Sequence, residues 1–565
     1  MLMTGVDWAV IAGFFVVLAA IPTLASFKAK KTAADFFTSS RTMPWWLIGF
    51  SMVAATTATD SANFFTEVIR RDGMSGNWVM WAFVLTGLLT VFVYAKLWVK
   101  SGVSTDIEFY ELRYAGGPAV FLRAFRALYL GVVFNVLVLG NVILAAVKLG
   151  VVLFGVEPST IYAVTVAASV VYTFFGGIRG VIWTDFFLFL VIMAGSVAAM
   201  SCALALPEVG GIAGVVAHPE TARRLSIFPD FGDWDARVTA FVIPLAVQWW
   251  NVWKAGSEPG GGGYIVQRMI TARSDNHARG GTLFFNFLNW VVRPWPWYVV
   301  GLCSVLAYPT LDSIRAAFPH VDPSLVCDDM AYPAMLTKVS SGWLGLVAAS
   351  MMGALFSTVA AHLNLGSAYM VNDFWRRFVR PRASDRELIW VGRGAMALLL
   401  FQGCALAPHL RSAKAAFDLM LLIGAGTGPV FLLRWFWMRI NAWAEIAGMV
   451  VSFVCALVLQ FGFPTVPSWQ KMLVTIALTT VGWLAVTFLT APTDATTAAR
   501  FKAAVRVNGR DVGLGLVLTA VSAFALFDMI YMVGAWIYGW HAQAAVATAL
   551  AAVSGAVVWK GMRRL

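Results

Sequence analysis

Eight consecutive residues inside an apolar run, Thr56-Thr57-Ala58-Thr59-Asp60-Ser61-Ala62-Asn63, carry more oxygen than a lipid-facing helix tolerates. The run spans Pro44–Phe65. An Asp at the centre of a bilayer costs at least about 2.5 kcal/mol, so Asp60 must face a cavity or a partner. A helix interrupted near Ala58–Ser61 would free backbone carbonyls to hold a cation. The same residues would also suit a hydroxyl-rich packing face around a buried, hydrogen-bonded acid. A second constellation lies in the run Leu344–Met370, where Ala354, Ser357 and Thr358 share one helical face by their i, i+3, i+4 spacing. One carbonyl and two hydroxyls from that face, with carbonyls from the break, make an all-oxygen set. Such a set suits a hard ion, and without a carboxylate cluster it suits a monovalent one. The alternative is a seam of small residues between packed helices.

Two further features carry charge or strain. The run Val238–Lys254 holds Trp249, Trp250 and Trp253 and leads into Ser257-Glu258-Pro259 and Gly260–Gly263. Proline followed by four glycines cannot continue a regular helix without large cost. This is either a second interrupted span or a cytoplasmic loop beginning at Pro259. Arg293 sits within the apolar stretch Phe284–Tyr308, ahead of Pro294 and Pro296. It requires an acid such as Asp60, Asp185 or Glu258, a route to the membrane edge, or the carboxylate of a solute. Of the histidines, only His362 falls inside a span. It and Asn364 read as helix-to-helix hydrogen-bonders.

The elements that must position these residues are membrane helices. Across 565 residues the chain is 60% hydrophobic and only 12% charged, too few charges for a water-soluble surface. It holds 25 Trp, 41 Phe and 49 Gly, residues that favour membrane interfaces and membrane helices. About fifteen apolar runs qualify as spans, from Val6–Ala25 to Ala544–Trp559. They include Gly281–Tyr308, where the two prolines after Arg293 can bend the helix, and Phe417–Trp437. The first run lacks a basic leader and a cleavage pattern, so it is expected to be retained. The net charge of +12 is largely topological. Lys28, Lys30, Lys31, Arg41, Arg179, Arg268, Arg376, Arg377, Arg380 and Arg382 fall in alternate loops, while the loop after Tyr308 carries Asp312, Asp322, Asp328 and Asp329. This alternation predicts an outside N-terminus and a cytoplasmic C-terminus in the plasma (inner) membrane, and calls for no nucleic-acid partner. Five scattered cysteines imply neither a disulfide framework nor a metal site.

Several ordered motifs resemble those of the sodium/solute symporters, which include sodium/glucose and sodium/proline carriers. DFFTSSRTMPWWLIGFSMVAATTATDS resembles the family's opening segment, and Tyr172–Gly195 its GG-x-x-x-V-x-x-TD stretch. YIVQRMITARS and GALFST followed by VNDFWRRF resemble the exits of its sixth and eighth core helices. The resemblance implies an all-α polytopic membrane protein. Its ten-helix core, residues 34–442, would consist of two inverted five-helix repeats with discontinuous first and sixth core helices. Residues 1–33 would add one helix and a cytoplasmic link, and 443–565 the helices after the core. It further implies a sodium site of Ala58, Ser61, Ala354, Ser357 and Thr358, with Asp60 beside it and Asp185 on the ion's route to the cytoplasm. Asn63, Trp253, Glu258, Asn289 and Arg293 are the candidate solute contacts. The chain departs from the sugar carriers where they place a Glu after the first broken helix and a Lys near Asn289, so glucose itself is not supported.

The expected function is sodium-coupled secondary active symport of a small polar organic solute, a sugar or related compound ahead of an amino acid or sugar acid. Sodium, the solute and the bilayer are the expected partners, with no obligate protein partner. An enzyme is not expected, for want of an intramembrane catalytic constellation, nor is a primary pump, for want of a Walker motif. A sensor on a transporter fold would need a signalling domain, and none is expected after the last span.

Overall fold

A computed structural model describes residues 3–27, 41–103, 106–172, 178–254 and 256–565. The basic residues Lys28, Lys30 and Lys31, the boundary at residues 33 and 34, and 173–177 of the glycine motif lie outside the described residues.

The described chain is helical, apart from one isolated bridge between Met43 and Ala272. Helix α1, Gly5–Phe27, packs on α7 (Ile178–Leu204) and α12 (Trp343–Val379). Asp7 secures it. Its Oδ1 accepts from the backbone N–H groups of Gly342 and Gly345, each at 2.7 Å, at the start of α12. These N–H groups have no partner within their own helix, and a carboxylate there also meets the positive end of the helix dipole.

The first core helix is split into α2 (Trp45–Thr56) and α3 (Thr59–Asp72). Thr57 and Ala58 between them are extended, with ψ of 107° and 167°. The break therefore falls at the polar stretch, beginning one residue before Ala58. Next come α4 (Met74–Ser101), α5 (Gly116–Phe154), α6 (Pro158–Tyr172) and α7. The sixth core helix is also broken. Helical turns at 238–248 form α8, and after a non-helical stretch α9 resumes at Gly263–Met269. The sequence reading kept helix up to Lys254, but the chain unwinds from Trp249. The glycine segment is not a plain surface loop, since Glu258 through Gly263 are buried.

Helix α10 (Asp275–Phe287) widens into a π turn at Leu288–Val292 and meets α11 (Trp295–Ala307) at Arg293-Pro294. The prolines explain the widening. Pro294 lacks an N–H, and its ring would collide with the carbonyl of Trp290 in a regular helix. The core closes with α12, α13 (Asp385–Leu406), α14 (Ala413–Ile423) and α15 (Gly428–Leu433).

The last pair corrects an expectation. Phe417–Trp437 is not one continuous span, because it opens at residues 424–427. The cause is tertiary. The break lies directly on the unwound part of the sixth core helix. A Cβ on Gly424 would sit 1.5 Å from the carbonyl oxygen of Val252, and one on Gly428 would sit 1.9 Å from that of Trp250. Asn251 Oδ1 accepts from Gly426 N, and Ser452 donates to the carbonyls of Ile423 and Ala425, each at 2.7 Å. Outside the core, α16 (Ala442–Gly462) pairs with α17 (Ser468–Leu489), and α18 (Gly509–Ile537) with α19 (His541–Met562). Among the described residues nine helices are long and apolar enough to cross a membrane, while several of the remaining spans are cut by the breaks.

Candidate ion and solute site

The break in the first core helix leaves carbonyls with no helical partner, and the neighbouring elements take them up. Thr358 Oγ1, on α12, donates to Thr57 O at 3.3 Å. Arg293 Nη1 donates to Thr56 O at 3.2 Å and to Thr57 Oγ1 at 2.8 Å. Ala58 O accepts from Ser61 N, while Ala58 N donates to Ser61 Oγ at 3.3 Å. From the other direction, Thr59 Oγ1 donates to Met351 O, again on α12. Thr57 and Thr59, on either side of Ala58, thus meet the helix that carries Ala354, Ser357 and Thr358, all three of them buried. Thr57 O, one residue earlier than expected, is the carbonyl that Thr358 touches. Among the described residues no three His, Cys, Asp or Glu side chains cluster as metal ligands, and the groups that meet between the break and α12 are carbonyls and hydroxyls.

Beside the break lies a cavity of about 140 Å³. By the measure in which one water needs about 10–15 Å³, this is room for roughly ten waters. Asp60 faces it, and Asp60 Oδ2 accepts from Asn141 Nδ2 on α5 at 2.6 Å. Trp253 forms part of the wall, edge-on to Phe417 with ring centres 5.1 Å apart. Asn289 also lines it, with Oδ1 near the Thr56 hydroxyl at 3.3 Å. His362 lines the opposite wall, its Nδ1 2.7 Å from Asn135 Oδ1. Asn135 Nδ2 already donates to two carbonyls, so the amide oxygen must accept from His362 Nδ1–H. In the neutral ring Nε2 is then left as an acceptor.

Three expectations change. Asn63 is fully buried but does not line the cavity, and its amide has no partner among the described residues. The helical phase explains this. Asp60, Ser61, Phe64 and Phe65 of α3 face the cavity, and Asn63 turns with Thr59 and Thr66 to another side. Glu258 borders the cavity but is tied to Arg126 at 3.1 Å and to Gly256 N. Arg293 neither reaches the membrane edge nor pairs with Asp60, Asp185 or Glu258. It is buried, lies across the break, and has its guanidinium carbon 5.5 Å from the centre of the Trp297 ring. The sequence reading missed Asn141 and Lys254. Lys254 lines the cavity with its ammonium 4.4 Å from the centre of the Trp253 ring and 5.7 Å from that of Tyr264. The signal was present, because a Lys directly after an apolar Trp-rich run calls for the same question as Arg293.

Asp185 stands apart from the cavity. Its Oδ2 accepts from Ser51 Oγ at 2.6 Å and from Arg268 Nη2 at 3.2 Å, and Arg268 Nε donates to Ser51 Oγ at 3.0 Å. This buried triad joins α2, α7 and α9, and so ties together the leading half of one broken helix and the trailing half of the other.

Two discontinuous helices around a central cavity, with oxygen donors at one break, define an ion-coupled secondary transporter. The chain belongs to the sodium:solute symporter family, whose model matches residues 36–452. It is 27% identical over 471 residues to a sodium/glucose cotransporter of Vibrio parahaemolyticus, covering 80% of this chain and 84% of that one. It is 27% identical over 512 residues to a sodium/mannose cotransporter of Bos taurus, covering 82% and 81%. To sodium/myo-inositol cotransporter 2 of Homo sapiens it is 26% identical over 491 residues, covering 80% and 70%. The structure of a substrate-bound, outward-open Na+-coupled sialic acid symporter superposes with a TM-score of 0.65 at 19% identity, covering 87% of this chain and 99% of that one, which establishes the shared fold. The protein is therefore a multi-pass membrane transporter and not an enzyme, and it couples sodium to the movement of a small organic solute.

Proposed function

We propose that sodium binds between the break of the first core helix and α12, held by Ala58, Ser61, Ala354, Ser357 and Thr358, and that a small polar organic solute occupies the adjoining cavity. The observation that carries this reading is the hydroxyl of Thr358 on the carbonyl of Thr57, which brings the expected donor face of α12 to the break. Asp60, between break and cavity, adds negative charge that favours a cation there. The names of the relatives, cotransporters of glucose, mannose and myo-inositol, support a hydroxyl-rich solute. Hydroxyls would find acceptors and donors in Asn289, Asn141 and the free nitrogen of His362.

Binding of sodium draws α3 and α12 together and stabilises the solute-ready state. Solute and ion then leave on the side where the Asp185–Arg268–Ser51 triad opens. The charge pattern of the loops supports the cytoplasm as that side, with the N-terminus outside and the protein in the plasma (inner) membrane. A tenfold sodium gradient supplies about 1.4 kcal/mol, and a potential of 100 mV adds about 2.3 kcal/mol per charge. One ion can thus sustain roughly several-hundred-fold accumulation of a neutral solute.

The test is a sodium titration of the purified protein in proteoliposomes. Ser357→Ala and Thr358→Ala should each raise the sodium concentration for half-maximal activation by about tenfold, as expected for the loss of a hydrogen-bond-strength ligand. Unchanged activation in both variants would remove the sodium assignment.

A further inference from the structure

We infer that the solute carries a carboxylate, held between Lys254 and Arg293. This rests on the reading of the cavity as the solute site and goes beyond it by fixing the charge of the occupant.

The argument begins with a count of the ionisable groups along the wall. Asp60, Lys254, Glu258 and Arg293 line the cavity, with His362 and Tyr264. Glu258 is neutralised by Arg126, which stands behind the wall at 3.1 Å. That leaves two cations and one acid. Asp60 bonds to Asn141, and among the described residues it makes no ion pair with either cation. Even with its charge acting on both, one carboxylate cannot balance two fixed positive groups. A sodium ion at the adjoining break would add a third positive charge. Neutral sugars would leave this excess in place, whereas a monoanion reduces it.

The manner in which the two cations are held supports the same conclusion. Arg293 spends Nη1 on Thr56 O and Thr57 Oγ1. Among the described residues its Nη2 has no hydrogen-bond partner. The ammonium of Lys254 rests over Trp253 and Tyr264, whose rings attract a cation without neutralising it, and it too makes no hydrogen bond or ion pair among the described residues. Some buried cations are ion-paired, as Lys148 is with both oxygens of Asp329 at 2.6 and 2.8 Å and as Arg434 is with Glu445, while others such as Arg113 are met by backbone carbonyls. What sets Lys254 and Arg293 apart is that both line the same cavity and neither has an ion-pair partner among the described residues. One guanidinium nitrogen and one ammonium can share the two oxygens of a carboxylate. Asp60 in turn disfavours a second acidic group on the solute, which points to a monocarboxylate.

The experiment uses the purified full-length protein and solutes matched except for charge: D-glucose with D-glucuronate, D-galactose with D-galacturonate, and glycerol with D-glycerate. Thermal stabilisation is titrated in sodium and in choline at equal ionic strength. At least one acid is expected to stabilise the protein in sodium where its neutral partner does not. Lys254→Gln and Arg293→Lys should each weaken that acid by about 10- to 100-fold, while sodium alone stabilises Lys254→Gln, which does not touch the break, as it does the wild type. The inference is overturned if a neutral member stabilises as well as or better than its acid, if no acid of the panel stabilises, or if the affinity for the acid survives in both variants. Should Arg293→Lys fail to fold, Lys254→Gln alone decides. Failure of the symport reading would look different: the acid would bind equally in choline and in sodium.

Discussion

Asp185→Asn is the sharpest test of how the two broken helices are held. The substitution keeps the shape of the side chain and removes its charge. Arg268 would then be left buried beside a neutral amide, with Ser51 its remaining partner in the triad. Breaking one side of a buried ion pair costs about 3–5 kcal/mol. Since Asn can still accept a hydrogen bond, the lower figure applies. If the triad is what keeps α2, α7 and α9 together, about 3 kcal/mol is lost from the closed arrangement only, and the population of the opened one rises roughly 100-fold. Backbone amides that exchange through this opening should speed up by the same factor. The assay is hydrogen exchange read by mass spectrometry on peptides covering Trp45–Thr56 and Gly263–Met269. Ser51→Ala, which leaves the ion pair, should give a smaller acceleration of about tenfold. The reasoning is refuted if both peptides exchange at the wild-type rate in Asp185→Asn. It is equally refuted if α16 to α19 accelerate as much, because the loss would then be global and not local to the triad.

Other outcomes follow from the same packing. Gly424→Ala places a methyl group 1.5 Å from a backbone oxygen that cannot rotate away, so it should cost about 3 kcal/mol or more and abolish uptake, read as a lower thermal midpoint together with lost transport. Asp7→Ala removes the acceptor for two N–H groups at the start of α12 and should cost about 1–2 kcal/mol, measured by thermal unfolding, with the sodium response retained in the folded fraction.

The parts of the site that could be read from sequence are those where local chemistry alone forces the outcome. An Asp among threonines in an apolar run has few places to go, and the break at Thr57-Ala58 lies where that stretch predicts. Ser357 and Thr358 share a face with Ala354 by spacing, but that spacing suits a packing seam equally, and it is Thr358 on Thr57 O that sets the face against the break. The parts that escaped depend on contacts with residues far away in the chain. Phe417–Trp437 reads as one apolar helix until Val252 and Trp250 are known to lie against Gly424 and Gly428. The unwinding at Trp249 has the same origin seen from the other side, since Thr86 takes the carbonyl of Trp249. Asn63 lies off the cavity wall, which the sequence could not tell, because polarity reveals that a residue is constrained but not which way a half-helix is turned. Arg293 resisted for another reason. Its partners are backbone carbonyl and hydroxyl oxygens released by a distant break, and no search for acids would find them.

The bond between Asp7 and Gly342 has a consequence for how the molecule is made. The two residues are 335 positions apart. At ribosomal rates of about 5–20 residues per second, between about 15 and 70 s pass before the acceptor's partners emerge. Throughout that interval the first helix must hold a carboxylate in its first turn with only Thr4, its neighbour, to bond it. Helix α1 therefore cannot reach its native seat when it is inserted and must wait, loosely placed, for the eighth helix of the core. Its docking is a late event in biogenesis, and a chain arrested before Gly345 should still leave Asp7 open to solvent and to proton exchange.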